Sequence, residues 1–483
     1  MPTQCSAEQL QFAAVEGRRV VADFDGGAVS SDAGALLLGR ADAAIGLIDR
    51  LAGCFTDARD PDLIEHTVRT LIGQRVFGTA LGYEDLNDHE QLRHDPLWHT
   101  LLGKLSPKRR SDCAALAGKS TLNRLELHSP KSADRYHKIR PDGEAIEALW
   151  VELFLEAHPQ APARIVLDLD ATDDPLHGQQ EGRFFHGYYG GYCYLPLYIF
   201  CGEHLLCAKL RRANLDGAAG ATEEVERIVA QIRSRWPETQ VILRADSGFC
   251  REELLGWCEQ HGVDYVIGLA RNARLSRAIG DELHAAAVQS AQLQRPARRF
   301  KDLVYRTRSS WSRARRVIGK AEYTGTKANP RFLVTNLSRE AFPARELYED
   351  LYCERGECEN RIKEAQLDLF ADRLSTATFR ANQLRLWLAS AAYVLMHALR
   401  RIGLKDTALA RACAGTMRLR LLKIGAVVTV SVRRVRLAMS SGCPYQREFR
   451  AAFHALGAAA RSAAPTTQRP PPQSLIRLPA RRR

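Results

Sequence analysis

The chain has 483 residues, enough for two or three domains around a large core. Its 69 basic and 56 acidic residues leave a net charge of +13 and a pI near 9.3, an excess that favours a polyanionic partner such as nucleic acid. The twelve cysteines are scattered with no C-x2-C pair, which argues against zinc or a disulfide framework and for reduced thiols in a cytosolic protein. Residues 5–11 are polar, unlike a signal peptide, and the most apolar run, 387–399, falls short of the roughly 20 residues of a membrane span.

In chain order, residues 1–160 read as mostly helical. "SDAGALLLGRADAAIGLIDRLAG" opens on a Ser31-Asp32 cap signal and carries a Leu/Ile stripe, and "DLIEHTVRTLIGQRVFGTALG" is similar. "KSTLNRLELH" predicts a short recognition helix presenting Asn123 and Arg124. Its "GKST" is not a phosphate loop, because Cys113 stands where the first glycine of that motif is required. From Arg164 the period changes. "RIVLDLDAT", "GYYGGYCYLPLYIFC" and "EHLLCAKLRRA" read as strands, followed by a helix at "TEEVERIVAQIRSRW", a strand at "QVILRADSGF", a helix at "REELLGWCEQHG" and a strand at "DYVIGLA". That order over 161–270 predicts an α/β fold with a mixed sheet and helices on its faces. Residues 271–348 break the pattern with strand-like pieces and predict an insertion that is mainly β. Residues 349–405 return to helices, 406–463 form a C-terminal region with the strand-like "AVVTVSVRRVRL", and 464–483 predict a disordered tail with five arginines and no acid.

Nucleases and transferases that use two metal ions need carboxylates converging from distant parts of the chain. Mg²⁺ prefers oxygen ligands, and two ions about 4 Å apart activate the attacking oxygen and stabilise the leaving one. Two predicted strands end in aspartate: the first offers Asp168 and Asp170 on one face, and the fourth offers Asp246. The third carboxylate is expected from the helix "YCERGECENRIKEAQLDLF". There Tyr352, Arg355, Glu359, Lys363 and Gln366 share one face, with an apolar stripe of Cys358, Ile362, Ala365 and Leu369 beside it. Glu359 is the candidate ligand, with Tyr352, Arg355 and Lys363 placed to hold a phosphate backbone. An aspartate at a strand end also serves as a turn or helix cap, and Glu359 with Lys363 also makes an ordinary surface pair; it is the three together that suggest a metal site. Residues 295–320 hold ten basic residues and one acid with Tyr305 and Trp311 interleaved. Arg313, Arg315 and Arg316 are therefore expected on phosphates, and Trp311 on an unpaired base.

The stretches "DLDATDDPLHGQQEG", "GYYGGYCYLPLYIF", "ILRADSGFCREELLGWCEQHGVDYVIGLARN" and "YCERGECENRIKEAQLDLFADRLSTATFRANQLRLWLASAAYVLMHALRR" resemble a DDE transposase of a bacterial insertion sequence. The branch is the one numbered thirteen-eighty, within the group related to insertion sequence four. The resemblance implies an RNase H-like catalytic core with an inserted β-rich domain, flanked by helical N-terminal and C-terminal regions, the former binding DNA. The family's first Asp precedes a small residue and Thr, which selects Asp170 over Asp168; its second matches Asp246, and its Y-x2-R-x3-E-x6-K signature places Tyr352, Arg355 and Glu359. The signature lysine is Gln366 here, and Lys363, one turn earlier, is expected to take over the phosphate contact. The implied cofactor is Mg²⁺, as two ions with Mn²⁺ able to substitute. The implied partners are terminal inverted repeats, target DNA and a second copy in a synaptic dimer, in the cytoplasm beside the nucleoid. The rival readings are an RNase H-like structure-specific nuclease and an inactive DNA-binding remnant.

Overall fold

The computed structural model describes residues 10–108, 113–127 and 136–462, so the tail expected over 464–483 lies outside the described residues. The described chain divides into two units: residues 49–58 with 125–397, and residues up to 48 with 59–124 and 398 onward.

The first unit is built on one eight-stranded sheet. Its strands, with those of a small adjoining sheet, are β1 (Arg164–Ala171), β2 (Asp174–Pro175), β3 (Phe184–His186), β4 (Gly191–Tyr194), β5 (Leu197–Cys201), β6 (His204–Lys209), β7 (Gln240–Ala245), β8 (Asp264–Leu269), β9 (Ala297–Tyr305), β10 (Arg315–Tyr323) and β11 (Arg331–Thr335). The large sheet runs β6-β5-β1-β7-β8-β11-β10-β9, and β2-β4-β3 form the small one. β5 is antiparallel to β1, whereas β1, β7 and β8 are mutually parallel. Its helices include α1 (Gly143–Glu156), α2 (Ala221–Arg235), α3 (Glu252–Gln260), α4 (Gly280–Leu293), α5 (Gly356–Lys363) and α6 (Phe379–Ala398).

Period two along β1 separates the two faces of the sheet. Ile165, Leu167 and Leu169 join a core with Val225 and Ile228 of α2 and Leu254 and Leu255 of α3. Val166 faces the other way, into a core with Ile242, Val266, Leu347 and Tyr348. Asp168 and Asp170 share the Val166 face by the same alternation. Residues 271–348 contain the expected strands, but these make no sheet of their own. β11 pairs with β8, and β10 and β9 extend the same sheet.

The second unit joins both ends of the described chain. A strand at Val29–Ser30 pairs with Ala426–Ser431, itself paired with Arg434–Met439. The helix Leu36–Ile45 packs against Gln446–Ser462, with the Arg40 guanidinium 3.5 Å from the centre of the Phe453 ring. The N-terminal region is thus less purely helical than its pattern suggests, with a further hairpin of Leu10–Val15 and Arg18–Ala22. Asp32 does not cap a helix through its side chain. It is buried and accepts from Lys423 at 2.8 Å and the Trp98 indole at 3.3 Å, as a carboxylate removed from water must. Among the described residues every cysteine is a free thiol, and no helix is long and apolar enough to cross a membrane.

Candidate active site

The site begins with the register of two strands. β1 and β7 run parallel with Asp168 opposite Arg244 and Leu169 opposite Ala245. Arg244 clasps Asp168 with two hydrogen bonds, of 2.5 and 2.8 Å, both side chains being buried. Arg244 also donates to the Leu351 carbonyl, tying both strands to the segment that leads into α5. Asp168 is thereby engaged within the protein. Asp170 and Asp246 each follow the last paired residues, Leu169 and Ala245, of these two neighbouring strands. Asp246 caps the short turn Ser247–Phe249 through one oxygen, which accepts from Gly248 N–H at 2.8 Å. Asp170 accepts from the Ala171 N–H at 2.9 Å.

Glu359 arrives on the helical segment above this face. The segment is not one regular α-helix: a wide π-helical stretch over Leu347–Tyr352 and a tight turn at Cys353–Arg355 precede α5, and a second wide stretch follows at Glu364–Asp368. Its apolar stripe is as predicted, with Cys358, Ile362, Ala365 and Leu369 all buried. Arg355, at the start of α5, bridges the site: one guanidinium nitrogen lies 3.3 Å from Asp170 and another 2.6 Å from Glu359. Burial is the main reason that Asp170 is raised from its usual 3.8 to about 6; Arg355 opposes the rise, while Asp246 and Glu359 add to it. Asp170 therefore feels both other carboxylates.

The donor set is all oxygen and carries surplus negative charge, which fits a hard divalent cation. These three carboxylates do not all bring an oxygen within 4.8 Å of one another; among the described residues Glu147, Cys207 and Glu224 do. That second cluster is already neutralised, because Lys209 and Arg227 pair with Glu224, Arg227 also approaches Glu147 at 3.5 Å, and burial holds the Cys207 thiol well above its usual range. It is a buried ion-pair network, whereas in the other group Arg355 pairs with Asp170 and Glu359.

The remaining predicted residues divide. The Tyr352 hydroxyl lies over Gly268 of β8, where a Cβ would sit 2.9 Å from it and 2.7 Å from the Ser247 nitrogen. Burial raises that hydroxyl's pKa. Lys363 is exposed. Gln366 donates to the Asp174 carboxyl at 2.8 Å and the Asp173 carbonyl at 3.2 Å, so its amide holds β2 against the helix.

The basic cluster requires correction. Trp311 is 4% exposed and lies in the main core, so it is not on the surface to stack on a base. The Arg315 side chain is 2% exposed and bridges Glu252 and Glu259 of α3. Arg316 binds Asp302 and the carbonyls of Leu337, Ser338 and Phe342. Arg313 remains exposed, though paired with Glu259. Sequence reasoning missed Arg244, Gly268 and Asp174. The signal for Arg244 was present: an arginine two residues before Asp246 mirrors the aspartate two residues before Asp170.

A family model described as Transposase DDE domain group 1 matches residues 12–461. No curated protein matches the chain. Among solved structures the chain is similar to the cryo-EM structure of the piggyBac transposase synaptic complex with hairpin DNA, at 13% identity over 90% of this chain and 83% of that one, with a TM-score of 0.36. With the family model spanning nearly all of its length, this chain belongs to the DDE-domain transposases of group 1.

Proposed function

We propose that this chain is the transposase of an insertion sequence of the thirteen-eighty branch. It binds the element's terminal inverted repeats, cuts there, and joins the freed 3′-hydroxyl to target DNA by in-line displacement. What supports this reading is that Asp170 and Asp246 follow the paired residues Leu169 and Ala245 of neighbouring strands, and that Arg355 links Asp170 to Glu359 on a later helix, in a chain of the DDE family. The strand order β6-β5-β1-β7-β8, antiparallel on one side of β1 and parallel on the other, supports an RNase H-like core.

Asp170, Asp246 and Glu359 would hold Mg²⁺, with Mn²⁺ able to substitute and two ions expected. When bound, such ions supply charge stabilisation to both the attacking and the leaving oxygens of a phosphodiester. The protein's own groups set the conditions for this. Arg244 and Asp168 lock the two strands in register, so the two catalytic aspartates are held without freedom to drift. Arg355 balances the charge between Asp170 and Glu359. Lys363, exposed on the turn after Glu359, offers a mobile point charge to the DNA backbone. Two ends must be processed together, so the working form is a dimer on DNA, acting in the cytoplasm beside the nucleoid.

The test uses Asp170→Asn, Asp246→Asn and Glu359→Gln with a duplex carrying the repeat end. Each variant should bind the duplex and fail to cut it. Full cleavage by any of them removes that residue from the site. Cleavage by the wild type without strand transfer to a target duplex would favour a nuclease.

A further inference from the structure

A second basic stretch is built unlike the one over 295–320. From residue 407 to residue 447 the sequence holds eight basic residues and no acid. At its centre Ala426–Ser431 and Arg434–Met439 form an antiparallel hairpin. Val29–Ser30 pairs only with its base, at Ala426 and Val427. The base is anchored: Ala426 and Leu437 join a small core with Ala33, Ile424 and Phe449, and Val428, opposite Leu437, is buried. Beyond Val428 the ribbon runs on as two strands, and every residue from Thr429 to Arg434 is exposed.

The arginines of this ribbon differ from those of the first cluster. Arg315 and Arg316 found acids within the fold. Among the described residues, Arg433, Arg434 and Arg436 pair with no acid, and all three are exposed. The register sets Arg434 opposite Ser431 and Arg436 opposite Thr429, so these two arginines share one polar face of the ribbon, with Arg433 at its tip. The tip itself is a two-residue turn, a place that favours glycine, asparagine or aspartate. Val432 and Arg433 fill it instead, and Val432 is fully exposed. Ser431 closes the turn: its hydroxyl donates to the Arg434 carbonyl at 2.9 Å and accepts from the Arg434 N–H at 3.2 Å. A β-branched side chain at this tip serves neither the turn nor a core.

We propose that this hairpin is a ribbon that enters the major groove of duplex DNA, with Arg433, Arg434 and Arg436 on backbone phosphates and Val432 at the base edges. The proposal rests on the transposase reading above and adds to it a DNA-contacting surface in the C-terminal region. Three cations without counter-charges suit a polyanion, and they repel the same ribbon of a second copy. Size selects the groove. A two-stranded ribbon fits the major groove, about 12 Å wide, and not the minor groove, about 6 Å wide. The four residues from Thr429 to Val432 span about 13 Å, more than the roughly 8.5 Å depth of the major groove. The tip therefore reaches the base edges, where an apolar side chain meets thymine methyl groups.

The experiment measures fluorescence anisotropy of the full chain in chelator with a duplex of the element end, from low to high salt. Arg433→Ala, Arg434→Ala and Arg436→Ala combined should make the plot of log affinity against log salt shallower by about 2–3. Lysine at the same three positions should keep it steep. Val432→Ser should weaken binding several-fold at an unchanged slope. At saturating protein, dimethyl sulfate reads guanine N7 in the major groove, and the wild type should protect guanines that the alanine variant leaves open. All four side chains lie in solvent, so thermal unfolding should be the same in every variant. An unchanged slope for the alanine variant, or the same guanines protected, overturns the ribbon and leaves the transposase reading standing. So does Val432→Ser with a lower light-scattering mass and unaltered DNA binding, which would make the tip a contact between copies. A wild type that binds no element-end duplex overturns the transposase reading itself, and the ribbon with it.

Discussion

Asp170→Asn removes a charge that the metal-free protein holds at a cost. The carboxyl rises from 3.8 to about 6 on folding, through burial first and then through Asp246 and Glu359, after allowing for the attraction of Arg355. A folded-state pKa above the unfolded one means that the folded protein binds the proton more tightly. The stability this gives is full below about 3.8, declines as pH rises through about 6, and is absent above it. At about 1.4 kcal/mol per pH unit, ionised Asp170 then costs the fold roughly 3 kcal/mol. Asparagine keeps the shape and the bond from Ala171 N–H without the charge. Urea unfolding in chelator should therefore show Asp170→Asn more stable than wild type by about 1–3 kcal/mol at pH 8, with the difference shrinking toward zero as pH falls to 4. In excess Mg²⁺ at pH 8 the wild type should gain stability by ligand binding and the variant should gain little. If Asp170→Asn is less stable than wild type at pH 8 in chelator, the ion pair with Arg355 outweighs the crowding and the argument fails.

Arg315→Ala leaves Glu259 buried without its principal partner, so it should lower stability by about 3–5 kcal/mol while leaving the salt dependence of DNA binding unchanged; a flattened slope would return this residue to the DNA surface. Gly268→Ala drives a Cβ against the Ser247 backbone and the Tyr352 hydroxyl, and single-turnover cleavage of pre-bound ends should slow more than about tenfold, against a wild-type rate if the strand can yield. Lys363→Ala should slow the same step several-fold with binding retained. Gln366→Ala should instead reduce stability by about 1–3 kcal/mol, because it strips the Asp174 carboxyl of its amide partner; the reverse pattern would place Gln366 on the phosphate.

What the sequence by itself determined is whatever local periodicity governs. Alternation along residues 164–171 placed two aspartates on one face at a strand end, and the three-and-four spacing of Cys358, Ile362, Ala365 and Leu369 placed Glu359 beside a buried stripe. These regularities arise between near neighbours in the chain, so a short window contains them. The tertiary structure alone decided which aspartate is spoken for, because Asp168 acquires Arg244 only through the parallel register of strands 76 residues apart. It also decided the fate of the basic cluster. Arg315 belongs to a strand with a neighbour on each side, and its counter-charges, Glu252 and Glu259, come from an earlier helix packed on that sheet. A run of like charge reads as a solvated surface when its partners are distant in sequence. Burial became tolerable only because folding brought the opposite charges within hydrogen-bonding distance.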